Sequence, residues 1–169
     1  MPISFDFYKD VVKDWILQNI SNDLYILDIG PGIGTYSDLI RSHGYKMDAV
    51  EIWQPYIDKY ELKNKYDNVY NEDILNKTVE FIEQYDFFIL GDVLEHLSVE
   101  NGQNFIKLLQ SKNKKYLIAI PYSLEQGEYE GNVYETHLQP DLTPEIMSTR
   151  YPELKFLCGN ELYGYYINK

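Results

Sequence analysis

Three glycines at alternate positions follow an apolar run: Gly30, Gly32 and Gly34. The apolar run, residues 26–29, predicts a buried strand, and residues 35–43 have the apolar spacing of a helix. A strand, a glycine turn and a helix together present backbone N–H groups and a helix N-terminus to a ligand. Asp28 stands just before the turn, and its carboxylate favours a ligand that carries an amine or a sulfonium.

A second group of reactive side chains, Asp92, Glu95 and His96, follows a dense apolar run that ends at Gly91. Carboxylate and imidazole groups beside a core strand are candidate bases for taking a proton from a hydroxyl, an amine or an acid. His137, in a later polar segment, is another candidate base, whereas His96 could instead be structural and cap the following helix. The same side chains offer oxygen and nitrogen ligands to a divalent cation.

Strand and helix patterns alternate from residue 24 to Pro121, which predicts a parallel, doubly wound sheet. The predicted strands are 26–29, 45–52, 68–70, 85–91 and 116–120, followed by two more at 154–158 and 163–167. The predicted helices are 7–20, 35–43, a short one from Gln54, a poorly defined one near Val79, 98–112 and 143–150.

Two segments resemble motifs of a known family. DIGPGIG at residues 28–34 resembles the first motif of class I S-adenosylmethionine-dependent methyltransferases. GDVLEHL at residues 91–97 resembles the segment after the fourth strand in many small-molecule methyltransferases, including those of ubiquinone and menaquinone biosynthesis. The resemblance implies one methyltransferase domain, 1–169. It also implies an α/β, doubly wound, Rossmann-like sheet of seven strands, mostly parallel, with a C-terminal antiparallel hairpin and helices on both faces.

The resemblance implies S-adenosylmethionine as the cofactor. Glu51 ends the second predicted strand, at the crevice beside the glycine turn, where a carboxylate can accept hydrogen bonds from both ribose hydroxyls. An ordinary surface glutamate is the alternative. Trp53 could stack on the adenine or simply pack. The resemblance implies that Asp73 accepts a hydrogen bond from the adenine amino group, although it could be a turn aspartate or a helix cap. Gly91 and Asp92 would lie by the methionine end.

The expected cofactor-binding residues are therefore Asp28, Gly30, Gly32, Gly34, Glu51, Trp53, Asp73, Gly91 and Asp92. The candidate catalytic residues are His96, Glu95 and His137. Residues 122–142 are acidic and rich in tyrosine, and we expect them to form a substrate-recognition insertion or lid rather than a disordered surface loop. Within residues 1–22, the amphipathic helix 7–20 should cover a sheet edge, and part of it could close over the cofactor.

The net charge of −12 opposes attraction to phosphate backbones and to anionic membranes, so a nucleic-acid substrate is unlikely and no membrane partner is expected. The single cysteine, Cys158, excludes a disulfide framework and a cysteine-based metal site. No apolar segment reaches the roughly 18 residues of a membrane span, and the N-terminus lacks a basic n-region. A cytoplasmic location follows by default, and nothing in the sequence specifies an oligomeric state.

The favoured function is methyl transfer from S-adenosylmethionine to a small-molecule or small-group acceptor, with no metal assigned. A nicotinamide-dependent oxidoreductase fits less well, because the glycine spacing is G-x-G-x-G rather than G-x-G-x-x-G. A non-catalytic binding module that keeps the fold is a further alternative. A metal-dependent RNA 2′-O-methyltransferase is another, because Asp92-x-x-Glu95-His96 with His137 is similar to the E-x-x-E-H arrangement of small-RNA enzymes. Asp92, the first acid of this arrangement, has a side chain one methylene shorter than the glutamate of the small-RNA enzymes. The net negative charge of the protein also disfavours RNA as a substrate.

Overall fold

The computed structural model describes residues 4–169, so positions 1–3 of the 1–22 segment and of the 1–169 domain lie outside the described residues. The strands are β1 (Tyr25–Ile29), β2 (Lys46–Val50), β3 (Val69–Tyr70), β4 (Phe87–Gly91), β5 (Lys115–Pro121), β6 (Leu154–Gly159) and β7 (Tyr163–Asn168). The α-helices are α1 (Lys9–Asn19), α2 (Thr35–Ile40), α3 (Gln54–Lys59), α4 (Leu62–Lys65), α5 (Val79–Glu83), α6 (Val99–Ser111) and α7 (Pro144–Arg150).

The strands form one seven-stranded sheet in the order β3-β2-β1-β4-β5-β7-β6. Neighbouring strands are parallel except at β7, which is antiparallel to both β5 and β6. Helices cover both faces of the sheet, because one buried apolar cluster joins it to α1, α2 and α3 and another joins it to α5, α6 and α7. This arrangement confirms the predicted fold class and the terminal hairpin.

Several predicted boundaries are shifted. The first helix begins at Lys9 rather than residue 7, because Tyr8 adopts a left-handed conformation with φ of 58°. Its buried residues are Lys9, Val12 and Ile16, whereas Val11 is 48% exposed. The fourth strand begins at Phe87, two residues later than predicted. Within residues 4–169, no helix is long and apolar enough to cross a membrane.

The sheet order reverses direction between β1 and β4, which places a crevice at the carboxyl ends of β1, β2 and β4. Crevices at such switch points are the usual ligand sites of open α/β sheets. The chain leaves β1 at Gly30, whose backbone N–H donates a hydrogen bond to Val50 O of β2 at 2.9 Å. The glycine turn is therefore fixed at the edge of the crevice.

Candidate functional site

A cleft of about 300 Å³ lies in this crevice. Seven of the predicted site residues line it: Gly30, Gly32, Glu51, Asp73, Gly91, Asp92 and His96. Five others do not line it: Asp28, Gly34, Trp53, Glu95 and His137. The sequence thus predicted the elements that border the cleft better than the side chains that face it.

The glycine turn contributes its backbone to the cleft. Gly30 has φ of +58°, and a Cβ there would lie 2.8 Å from Val93 Cγ2 of the segment after β4, so only glycine fits without a shift. Gly32 also has a positive φ and borders the cleft. Gly34 lies farther along, where it caps the N-terminus of α2 and packs against Lys65. It is therefore a packing residue in this structure and not part of the cleft wall.

Glu51 lies directly after β2 with its side chain in the cleft, and only 4% of the residue is exposed. The ordinary surface glutamate considered from the sequence is therefore wrong. The backbone N–H of Trp53 donates a hydrogen bond to Glu51 Oε1 at 2.8 Å. Burial raises the pKa of Glu51 to about 7, while backbone N–H groups, Trp53 and Gly32 among them, favour the ionised form. A buried acceptor is thus held at the end of the second strand.

Asp73 and Trp53 have local structural roles. Asp73 Oδ1 accepts a hydrogen bond from the Leu75 backbone N–H at 2.9 Å and caps a short 3₁₀ turn, as in the alternative interpretation of this residue. Asp73 nevertheless borders the cleft. The Trp53 ring does not border it and instead contacts Tyr134 edge to face, with centroids 6.3 Å apart. Its packing alternative is therefore the one observed.

Asp28 points away from the cleft, because alternate side chains of a strand face opposite sides of the sheet. It lies on the same face as Ile26, beneath the glycine turn, and is fully buried. Its Oδ2 accepts a hydrogen bond from the Tyr66 hydroxyl at 2.6 Å. Burial raises the pKa of Asp28 to about 7, although the Tyr66 bond and the charge of Lys9 oppose the shift. Asp28 therefore does not border the cleft in this structure, and its contact with a cofactor stays a prediction.

The buried Asp28 should make the free energy of unfolding depend on pH. Its pKa is higher in the folded protein than in the unfolded chain, so its stabilising contribution is present below about pH 4 and is lost as the pH rises through about 7. The free energy of unfolding of Asp28→Asn, minus that of the parent, should therefore increase from about pH 4 to about pH 8 by on the order of 2–4 kcal/mol.

Urea unfolding at a series of pH values measures this difference. The matched control is Asp23→Asn, which changes an exposed side chain in the turn before β1 and leaves Asp28 in place. An Asp28→Asn curve parallel to that of the parent would show that folding does not raise the pKa of Asp28.

The segment after β4 carries two buried carboxylates. Asp92 has φ of 56°, and Glu95 is 1% exposed. Within residues 4–169, neither carboxylate makes a hydrogen bond of normal geometry through its side-chain oxygens. Burial raises the pKa of Asp92, and it raises the pKa of Glu95 well above its usual value, with the charge of Asp92 adding to the effect on Glu95. Glu95, one of the candidate catalytic residues, does not border the cleft and lies behind its wall.

His96 and His137 pack against each other edge to face, with ring centroids 4.7 Å apart. His96 borders the cleft, whereas His137 lies behind it. Burial lowers the pKa of His96 to about 4 and also lowers the pKa of His137, so both imidazoles are neutral at neutral pH. A neutral His96 can accept a proton from a bound molecule, but its low pKa makes it a weak base.

Residues 122–142 pack onto the segment after β4. The backbone N–H groups of Leu138 and Gln139 donate to Glu95 O at 2.8 and 3.0 Å, and Gln139 Nε2 donates to Leu94 O and Leu97 O. Residues 132–136 and Leu138 border the cleft. The insertion therefore forms part of the wall of the cleft, and its role in substrate recognition stays a prediction.

Sequence reasoning did not identify two buried residues near the glycine turn. They are Lys9 and Tyr66, the second of which donates a hydrogen bond to Asp28. Lys9 is buried, its Nζ donates to the Tyr36 hydroxyl at 3.3 Å, and it lies 4.5 Å from the Tyr36 ring centroid. Burial lowers its pKa, against which the charges of Asp92 and Asp28 act. The burial of Lys9 could have been predicted from the sequence. Its spacing to Val12 and Ile16 places the lysine on the buried face of α1.

No family model matches this sequence. The ubiquinone biosynthesis O-methyltransferase of Rickettsia bellii is 33% identical over 122 residues, which cover 70% of this chain and 49% of the relative. The ribosomal RNA small subunit methyltransferase A of Metamycoplasma arthritidis is 32% identical over 119 residues, which cover 63% of this chain and 45% of the relative. The chain thus spans about half the length of the curated relatives it matches.

Two solved structures share the fold over almost the whole chain. An S-adenosylmethionine-dependent methyltransferase from Clostridium acetobutylicum has a TM-score of 0.68 and 13% identity, covering 99% of this chain and 92% of the other. A 1,6-didemethyltoxoflavin-N1-methyltransferase from Burkholderia thailandensis, solved with S-adenosylhomocysteine, has a TM-score of 0.67 and 10% identity, covering 96% and 78%. These two structures show that the chain shares its fold with S-adenosylmethionine-dependent methyltransferases.

Proposed function

We propose that this chain binds S-adenosylmethionine in the cleft and transfers its methyl group to a small-molecule or small-group acceptor. The observation that carries the proposal is the buried Glu51 carboxylate at the end of β2, which faces the same cleft as the glycine turn after β1. The order of the sheet and the methyltransferase relatives support the proposal.

The residues of the cleft fit such a cofactor. Glu51 offers a carboxylate oxygen to the ribose hydroxyls, and the turn at Gly30 and Gly32 brings the backbone close to the ligand. One carboxylate oxygen of Asp73 is used in capping, so the other is the acceptor for the adenine amino group. Gly91 and Asp92 border the part of the cleft after β4, where the methionine end would lie. When bound, S-adenosylmethionine supplies a methyl group activated by the sulfonium.

The remaining wall of the cleft favours a small acceptor with an apolar part. Its outer region is bordered by Leu75, Leu97, Val133 and Leu138, of which Val133 and Leu138 are each 57% exposed. Exposed apolar side chains at the mouth of a cleft are typical of a ligand-binding surface. His96 is the histidine among the residues that border the cleft, and it is the candidate acceptor of a proton from the bound molecule.

The alternatives have less support. In the classic dinucleotide-binding sheet the order is 3-2-1-4-5-6, whereas here the antiparallel β7 lies between β5 and β6. This topology does not favour a nicotinamide-dependent oxidoreductase. A non-catalytic binding module would give no methylated product in assays with a panel of acceptors. The cytoplasmic location stays a prediction.

Calorimetric titration with S-adenosylmethionine, S-adenosylhomocysteine and NAD tests the cofactor. We expect the first two to bind with a Kd of about 1 μM, or roughly −8 kcal/mol, and NAD not to bind. Repeating each titration with a chelator shows whether the affinity depends on a metal. Binding of NAD alone would contradict the proposal, and binding of none of the three would favour the non-catalytic module.

A further inference from the structure

We propose that Glu95, His96 and His137 form a binding site for a divalent first-row transition-metal cation at the inner wall of the cleft. One ligand atom from each of these residues lies within 4.8 Å of the other two. This spacing allows one ion to contact all three after small side-chain adjustments. The site does not require the proposed methyl transfer, so it can be tested on its own.

The first argument is the state of Glu95. The residue is 1% exposed, and neither of its carboxylate oxygens makes a hydrogen bond of normal geometry among the described residues. A buried carboxylate without a partner is unfavourable, and a bound cation removes that penalty. Asp92, three residues earlier, also has both oxygens buried without a hydrogen bond of normal geometry in the described part of the chain. It lies outside the three-residue cluster and adds negative charge beside it.

The second argument is the orientation of the two histidines. His96 Nδ1 lies 3.3 Å from Thr136 O, and His137 Nδ1 lies 2.7 Å from Leu124 O. A carbonyl oxygen only accepts hydrogen bonds, so each Nδ1 carries the proton and each Nε2 keeps a lone pair. Metal-bound histidines almost always donate their other N–H to a carbonyl or carboxylate in this way, which fixes the ring for ligation.

The third argument is that the backbone already holds the ligands together. Glu95 and His96 are neighbours in the 3₁₀ turn Leu94–His96, whereas His137 comes from the 122–142 insertion. Two backbone hydrogen bonds from Leu138 and Gln139 to Glu95 O join the insertion to this turn, immediately beside His137. The site is therefore built from two segments that are fixed to each other without any metal.

The donor set selects the kind of cation. Two imidazole nitrogens and one carboxylate oxygen suit Zn²⁺, Co²⁺, Mn²⁺ or Fe²⁺, whereas Ca²⁺ and Mg²⁺ prefer oxygen ligands alone. Three protein ligands leave coordination positions for other groups. Because His96 borders the cleft, such a position would be accessible to an oxygen or nitrogen atom of the acceptor. The metal would then bind and orient the acceptor, and His96 would be its ligand instead of the acceptor of a proton.

Titration of chelator-treated protein with Co²⁺ tests the site. We expect one Co²⁺ per chain, visible absorption bands of a nitrogen- and oxygen-ligated ion, and competition by Zn²⁺. Glu95→Gln and His137→Asn should each weaken Co²⁺ binding about 100-fold, since outer-shell partners alone are typically worth about 10- to 100-fold in metal affinity. The matched control is His43→Asn, which changes the one histidine of the sequence outside the proposed site, in the 3₁₀ turn after α2. Its Co²⁺ affinity should equal that of the parent.

The absence of stoichiometric Co²⁺ and Zn²⁺ binding by the folded parent would overturn the proposal. Glu95 would then be a buried neutral acid and the histidine pair a packing feature. Co²⁺ binding that is equally tight in Glu95→Gln, His137→Asn and the parent would also overturn it. Should either variant fail to fold, as judged by circular dichroism, the other variant and the parent titration still decide. The metal titrations contain no S-adenosylmethionine. A failure to bind metal is therefore distinct from a failure of the proposed methyl transfer.

Discussion

Replacing Glu51 with alanine is expected to weaken S-adenosylmethionine binding about 100-fold, a loss of roughly 3 kcal/mol. The reason is that the buried carboxylate would accept two hydrogen bonds from the ribose, and hydrogen bonds to a charged group contribute about 1.5–3 kcal/mol each. Calorimetry at about pH 8, where the Glu51 carboxyl with its pKa of about 7 is ionised, measures the effect.

Two further variants control this result. Glu51→Gln keeps one acceptor but loses the charge, so its loss of affinity should be smaller than that of the alanine variant. Glu83→Gln removes an exposed glutamate that pairs with Lys112 at 2.6 Å, outside the cleft, and should bind like the parent. The parent should bind more tightly at about pH 8 than at about pH 6, because Glu51 loses its proton in this range, and Glu51→Ala should lack this dependence. Equal affinities for Glu51→Ala and the parent would contradict the assignment of Glu51 to the cofactor.

Replacing Gly91 with alanine is expected to destabilise the protein by about 2–3 kcal/mol, the usual cost of overpacking a core. An added Cβ would overlap the ring of the buried Tyr36, at its Cε2 atom. The melting temperature should fall by about 5–10 °C for a domain of this size. Thermal unfolding followed by circular dichroism measures the change.

A double-variant cycle shows whether the Tyr36 ring is the cause. Tyr36→Leu removes the ring, so Gly91→Ala should have less effect on stability in that background than in the parent, with a coupling energy of about 1 kcal/mol or more. Gly127→Ala is the matched control, because a Cβ at Gly127 would have no atom within 4 Å. The same loss of stability in both backgrounds would show that Gly91 is required for another reason, such as its position at the cleft.

The two substitutions test two different contributions to the crevice. We expect Gly91 to be required for packing, whereas we expect Glu51 to be required for binding the cofactor. Gly91 ends β4 and faces Tyr36 on the α1–α2 side of the sheet, while also bordering the cleft. Glu51 directly follows β2 and borders the cleft. We therefore expect the Gly91 change to lower stability first and the Glu51 change to lower affinity first.

The sequence by itself determined the order of strands and helices, the glycine turn and the position of Glu51. These features depend on local rules. The run from Ile26 to Ile29 has the composition of a buried strand, glycines permit the turn at Gly30, and Glu51 follows directly on a strand. The doubly wound arrangement followed from the alternation of elements, and the structure confirms it.

Only the tertiary structure decided which side chains face the cleft and which lie behind it. Asp28 faces Tyr66, 38 residues later, because β1 turns that face toward α2 and α4. His96 and His137 meet across a long stretch of chain because backbone hydrogen bonds fix the insertion to the Glu95 carbonyl. The periodicity of a strand specifies that successive side chains point to opposite faces of the sheet. Which residues each side chain contacts is set by the packing of elements that are distant in the chain.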